Sequence, residues 1–329
     1  MTNRPFNVSR RSIALTTTAA AAILAAGLVN SVPAQAASPP VRHPRILVHL
    51  NLAARQQPEN LTLEPDGSAD LTFAFAAQVA RVTRHGHVSR IAQLPIPANG
   101  NVPLTNGQKA VVAGIVRASD GTLYVNLSTG TAKDTGVWRI RPGAAPARIA
   151  ALPPTTFANG LALDQAAGQL YVADSANRVI WRIPLRTGVA TVWARGSALQ
   201  GAQGVPAPGV NGIKVSDGAV WATNTARGTL LRIPITRDHT AGKIQVITSG
   251  LPGIDDFSFA GRDTILAAIN FTSKVALIHT DGRHQIVLTA KDGLSNPTAT
   301  AVRGHVLEVT SAAYYTKKDP NLLIAQLHH

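Results

Sequence analysis

The chain has no cysteine. That excludes disulfides, thiolate metal sites and a cysteine nucleophile. Aromatic residues make up only 5% of the sequence and there is a single methionine, so any core must be built from Val, Ile, Leu and Ala. Acidic residues are scarce: 17 Asp and Glu stand against 31 Lys and Arg, a formal charge of +14 over 329 residues. Such a balance raises nucleic acid as a partner. The arginines are scattered singly, however, and no basic cluster is interleaved with aromatics, so nucleic-acid binding is not expected. Loose attraction to an anionic cell envelope is all that the charge implies. There is no nucleophile-elbow motif and no histidine placed to serve one, which removes Ser-His-Asp hydrolysis.

What the sequence does have begins with an export signal. Arg4, Arg10 and Arg11 precede an Ala-rich apolar stretch from Ile13 to Val32, and Ala34-Gln35-Ala36 forms a small-x-small cleavage site. Residues 1–37 therefore read as a signal peptide, and Ser9-Arg10-Arg11-Ser12 also suits twin-arginine export. The expected address is secreted, periplasmic or cell-envelope, with no integral membrane segment left after cleavage. Residues 38–329 remain as a single domain.

That domain is repetitive. Thr155 to Pro184 holds three strand-length apolar runs: Leu161 to Leu163, Leu170 to Ala173 and Val179 to Ile183. Gly and polar breaks separate them, as in an antiparallel meander. The third run recurs around Arg81, Arg139, Arg182, Arg232 and Leu277, and the second at Leu71, Leu123, Leu170, Val220, Ile265 and Val306. Asp-Gly turns at 66–67, 120–121 and 217–218 introduce several of the second runs, and Asp-Gly is a favoured hairpin turn. The period predicts six units of roughly 40–55 residues with about four strands each, an all-β six-bladed β-propeller. The last unit shows only three strands. An N-terminal strand at Arg45 to Leu50 is expected to complete it and close the ring. Two Pro/Gly-rich stretches, 95–108 and 196–210, read as long loops over one face.

Aligning the starts of the six innermost strands gives Pro58-Glu59-Asn60, Val112-Ala113-Gly114, Ala158-Asn159-Gly160, Val210-Asn211-Gly212, Ile254-Asp255-Asp256 and Asn296-Pro297-Thr298. Equivalent positions in a propeller face the central channel at one end. Glu59, Asn159, Asn211 and Asp255 thus converge on the axis. They offer two carboxylates and two amides, with no His or Cys. Hard oxygen donors of net charge −2 suit Ca²⁺ or another divalent cation, and disfavour zinc. Asp256, beside Asp255, leaves the choice between the two open. Asn126, Asp174, Asn224 and Asn270 end the second strands on the same face, and are read as supporting the ligands, contacting substrate or simply making turns.

The segments Phe157-Ala158-Asn159-Gly160-Leu161-Ala162-Leu163-Asp164, Leu170-Tyr171-Val172-Ala173-Asp174-Ser175 and Ile180-Trp181-Arg182-Ile183 resemble the SMP-30/gluconolactonase family of six-bladed propellers. Asn211-Gly212-Ile213-Lys214 and Asp255-Asp256-Phe257 resemble its later blades. The resemblance implies a divalent ion, usually Ca²⁺, held at the channel mouth by the Glu59, Asn159, Asn211 and Asp255 equivalents. It also implies Asp255 as general base and a lactone or similar ester as small-molecule substrate. The alternative is a non-catalytic binding propeller with a structural metal. A strictosidine-synthase-like condensation ranks third.

Overall fold

The structure, a computed structural model, describes residues 40–328; the signal-peptide reading of residues 1–37 lies outside them. The described residues contain 24 strands in six four-stranded antiparallel sheets. β1 (Val41–His49) belongs to the last sheet. Blade one is β2 (Pro58–Leu63), β3 (Ala69–Phe73), β4 (Gln78–Val82) and β5 (Val88–Gln93); blade two is β6 (Val111–Arg117), β7 (Leu123–Ser128), β8 (Gly136–Ile140) and β9 (Ala147–Ala151). Blade three is β10 (Ala158–Asp164), β11 (Gln169–Asp174), β12 (Val179–Pro184) and β13 (Thr191–Arg195); blade four is β14 (Val210–Ser216), β15 (Ala219–Asn224), β16 (Thr229–Pro234) and β17 (Gln245–Thr248). Blade five is β18 (Ile254–Phe259), β19 (Thr264–Ile269), β20 (Lys274–His279) and β21 (His284–Leu288); blade six is β22 (Pro297–Arg303), β23 (Val306–Ser311) and β24 (Asn321–Leu327).

The expected six-bladed propeller is thus the observed one. The N-terminal strand closes it: β1 pairs with β24, from Val41 opposite Leu327 to His49 opposite Asn321. That strand starts four residues earlier than the sequence suggests. The second strand of blade one, around Leu71, ends at Phe73 although the apolar run continues through Phe75. The chain there turns into one 3₁₀ turn, Ala74–Ala76, stopped by left-handed Ala77.

Burial explains the strand order. The second strands are covered on both faces, β3, β7 and β15 along their whole length. They can therefore be continuous apolar runs rather than alternating ones. The outermost strands β5 and β21 are mostly exposed. Each of the six gaps between neighbouring blades is filled by its own aliphatic cluster. Between blades three and four, for example, Ala162, Tyr171 and Ile180 meet Val210, Ile213 and Leu231.

Polar side chains then tie each blade to the next. Thr72 Oγ1 donates to Ala113 O (2.6 Å), and Asn126 Nδ2 to Asn159 O (2.9 Å). Ser175 Oγ donates to Val210 O (2.7 Å) and Thr223 Oγ1 to Asp255 O (2.6 Å). Asn270 Nδ2 donates to Pro297 O (3.1 Å) and Thr298 Oγ1 to Pro58 O (2.9 Å), which completes the circle. Every acceptor is a carbonyl near the start of an innermost strand. At that point each innermost strand also slips register against its second strand, for instance between Val210 and Ile213 or Ile254 and Phe257. Such a bulge re-aims side chains, and here it does so at the same height in all six blades. The third residue of the start is glycine in three blades because the next blade is too close for a side chain. A Cβ on Gly160 would lie 2.5 Å from Asn211 O, and one on Gly212 would lie 2.6 Å from Asp256 Cα.

Candidate functional site

The four aligned candidate residues each lie at the start of the innermost strand of their blade: Glu59 on β2, Asn159 on β10, Asn211 on β14 and Asp255 on β18. Asn159, Asn211 and Asp255 are buried and Glu59 half-buried. The amide nitrogens of the two asparagines are engaged by the scaffold. Asn211 Nδ2 donates to Thr225 Oγ1 (2.8 Å), and Asn159 Nδ2 donates more weakly to Ser175 Oγ (3.4 Å). An amide held by its nitrogen turns its oxygen away from that partner, so Asn159 presents an acceptor, while the second amide hydrogen of Asn211 also serves the Asp255 carboxylate.

The two carboxylates are uncomfortable together. Burial pushes Glu59 up to about 7 from its ordinary 4.5; a bond from the Tyr314 hydroxyl opposes this, and the charge of Asp256 adds to it. Burial also raises Asp255 well above the usual carboxylate range, with the charges of Glu59 and Asp256 reinforcing the shift and the Asn211 amide opposing it. The Tyr314 phenol is itself raised, by burial and then by the charge on Glu59. Two desolvated, mutually repelling carboxylates flanked by amide acceptors form a donor set that fits a hard divalent cation. The set is lean, with only two acids. Among the described residues no group of three or more His, Cys, Asp or Glu side chains is arranged for a metal.

Asp256 takes a different course from Asp255. Its carboxylate is bound by Lys214 Nζ at 2.5 and 2.7 Å and by Asn60 Nδ2 at 2.5 Å. The Lys214 ammonium also lies 5.5 Å from the Phe257 ring centroid. The doublet is therefore divided. Asp255 joins Glu59 at the mouth, while Asp256 is neutralised across the channel by blades one and four.

The other polar residues toward the ends of the second strands bond mainly to backbone, and Asn126 lies inside its strand rather than at its end, because β7 runs on to Ser128. Asn126 and Asn270 tie blades together, as above. Asn224 Nδ2 donates to Ala198 O and Gln200 O, both at 2.8 Å, and anchors the loop preceding β14. Asp174 is fully buried and accepts bonds from the Phe157, Ala176 and Asn177 amides and from Trp181 Nε1. These bonds fix the turn after β11 that carries Ser175.

Tyr314 had no signal in the sequence. It lies in the loop between β23 and β24, reaches Glu59 from blade six and packs on Phe75 of blade one with ring centroids 5.3 Å apart. Tyr314→Phe is expected to lower the stability of the metal-free protein by about 1.5 kcal/mol, typical of a hydrogen bond to a charged group. Chemical denaturation in EDTA measures this.

The two long loops meet beside the mouth. Leu104 and Asn106 of the first and residues 200–209 of the second line a cavity of about 640 Å³, together with Ser175, Ala176, Arg178 and Arg227. This falls within the size range of small-molecule sites. Among the described residues no helix is long and apolar enough to cross a membrane.

Comparison with known proteins bears on the fold. Residues 115–265 match the SMP-30/gluconolactonase/LRE-like region, a span that includes Asn159, Asn211 and Asp255 and stops short of Glu59. No curated protein sequence matches the chain. Among solved structures, it is similar to regucalcin from Agrobacterium tumefaciens, a calcium-binding protein, at 16% identity and a TM-score of 0.64, covering 87% of this chain and 93% of that one. A luciferin-regenerating enzyme matches at 12% identity and a TM-score of 0.62, covering 88% and 95%. Virginiamycin B lyase from Staphylococcus aureus matches at 16% identity and a TM-score of 0.57, covering 83% and 81%. Likeness at such identities is one of fold. From Ile115 to Ile265 the chain is similar to the SMP-30/gluconolactonase/LRE-like region, and the described residues form a six-bladed propeller.

Proposed function

We propose that the protein is an exported, Ca²⁺-dependent hydrolase that opens a lactone or a similar ester. The observation that carries this reading is the pair Glu59 and Asp255, buried and mutually repelling at the channel mouth between two asparagines whose amide nitrogens are already held. Glu59, Asn159, Asn211 and Asp255 would hold the ion, with Tyr314 taking one oxygen of Glu59 and leaving the other. When bound, a divalent cation supplies electrophilic polarisation of the substrate carbonyl. The chain supplies the rest. Asp255, placed at the start of β18, is the group to accept a proton from attacking water. The Lys214–Asp256 pair joins blades four and five with its charges matched. The export signal and the positive charge make the cell exterior or envelope the expected workplace.

The test is calcium-dependent stability. A ligand that binds only the folded state at about 100 times its dissociation constant stabilises by roughly 2.7 kcal/mol. The mature protein should therefore melt several degrees higher in Ca²⁺ than in EDTA, and Asn159→Ala should lose most of that gain. A lactone and ester screen on the loaded protein then reads activity. A response to no divalent ion would leave a binding propeller as the better description.

A further inference from the structure

The cavity between the two long loops is lined by two arginines, Arg178 and Arg227, and by no acidic side chain. Some arginines of the blades are paired, Arg81 with Asp70 and Glu64, Arg117 with Glu64 and Arg303 with Glu308, while Arg139, Arg182 and Arg232 have no ion pair among the described residues. Among the described residues no ion pair reaches Arg178 or Arg227.

Both are held in place by backbone. Arg178 has φ +61°, a left-handed conformation that is costly for a residue with a Cβ. The equivalent turns of blades four and five place Gly228 and Ser273 there. The Arg178 amide donates to Asp174 O (2.8 Å), and the Asp174 carboxylate clamps the two preceding amides. Arg227 Nε donates to Gln200 O (2.9 Å), the carbonyl that Asn224 also holds. Arg227 Nη2 also reaches Gly201 O (3.4 Å), which leaves Nη1 and its donors for a ligand, while the exposed Arg178 side chain is positioned only through its backbone. The cavity also has apolar lips, since Leu104 is 63% exposed and Val205 40% exposed. It adjoins the mouth through Ser175, which lines it and accepts from Asn159.

We propose that this cavity is a carboxylate-binding site, with Arg178 and Arg227 taking the charge and Leu104 and Val205 covering the apolar body of the ligand. The substrate of the hydrolase proposed above is then an anionic lactone or ester that bears a carboxylate remote from the scissile bond. Only the word substrate rests on that hydrolase reading; the binding site stands apart from it. Planar guanidinium groups suit a carboxylate through paired, charge-assisted bonds.

The experiment compares 7-carboxymethoxy-4-methylcoumarin, whose carboxylate lies on the far side of the ring from the lactone, with its neutral ethyl ester by fluorescence titration of the full mature protein with Ca²⁺ at low salt. The acid is expected to bind roughly tenfold more tightly than the ester, on the scale of charge-assisted pairing. Arg178→Gln and Arg227→Gln should each reduce that ratio, and the double variant should bring it near one. Arg178→Lys, which keeps the charge on the same backbone, should restore part of it. A ratio near one in the wild type, no binding of either probe, or a ratio unchanged in the folded double variant overturns the proposal. Turnover of dihydrocoumarin is read separately. If it fails while the ratio behaves as expected, the hydrolase reading falls and the carboxylate site stands. Turnover without a preference for the acid has the opposite meaning.

Discussion

Glu59→Gln is expected to make the metal-free protein more stable at pH 8 and, in the same molecule, to weaken its response to calcium. Both effects have one cause. In the folded wild type, Glu59 titrates near 7 rather than 4.5, so the folded state holds that proton more tightly than the unfolded chain does. Its stabilising contribution is complete below about pH 4.5 and is lost as the pH rises through 7. A shift of that size corresponds to about 3 kcal/mol between the two ends of the window. Asp255 acts in the same direction, and Asp70, pushed up to about 6 by burial despite Arg81, adds to it. Metal-free wild type should therefore gain stability as the pH falls from 8 to 5. Calcium competes with the protons, so its stabilisation should grow over the same interval as the pH rises. The glutamine removes the charge that costs stability without a cation, and flattens the metal-free profile. It also removes one unit of ligand charge, which should weaken Ca²⁺ at least about tenfold, since charge count tunes such sites. Thermal melts in EDTA and in Ca²⁺ at pH 5, 6.5 and 8 decide the matter. A metal-free wild type that loses stability on acidification across this range would sink the account, and so would a glutamine variant that responds to calcium like its parent.

The second large effect lies in the ring. Gly160→Ala places a methyl 2.5 Å from the carbonyl oxygen of Asn211, in the adjacent blade. Backbone cannot step aside as a flexible side chain can. Overpacking of cores costs 1–3 kcal/mol and sometimes more, and this variant should fall at the upper end, about 3 kcal/mol. The displaced carbonyl belongs to a proposed ligand, so calcium affinity should fall as well. Gly168→Ala is the control. It has a left-handed φ of +62° and no neighbour within 4 Å, so it should cost only about 1 kcal/mol. Equal destabilisation by the two, measured by urea unfolding, would remove close approach between blades as the reason for glycine at this position.

The fold was legible because the sequence repeats. A six-fold recurrence of apolar runs and Asp-Gly turns leaves few architectures open, and the missing strand of the last unit pointed to the N-terminal run that fills it. The candidate ligands were legible for the same reason. Glu59, Asn159, Asn211 and Asp255 share one position in the repeat, and the bulge there turns that position toward the axis in every blade. What the sequence could not reveal is whatever breaks the repeat. Tyr314 stands in a loop with no counterpart in the other blades. The partition of Asp255 from Asp256 depends on Lys214, one blade away, and on Asn60, two blades away around the ring. The polar ends of the second strands looked alike in sequence, yet Asn126 and Asn270 bond across to the next blade, Asn224 to a loop and Asp174 within its own turn. Which neighbour each side chain meets is decided by contacts distant in the chain, and a local pattern does not carry that information.

The pairing of β1 with β24 also has a kinetic consequence. The first strand of the propeller finds its partner only when the last has been made, so the ring cannot shut during synthesis. Until then β1 has no place to dock, and the edge of β24 that it will cover does not yet exist. Folding that ends on so distant a contact should be slow, as expected for a high contact order. In that interval the open sheet edges can pair with other chains, and the waiting polypeptide remains in a form that a translocase or chaperone can still engage.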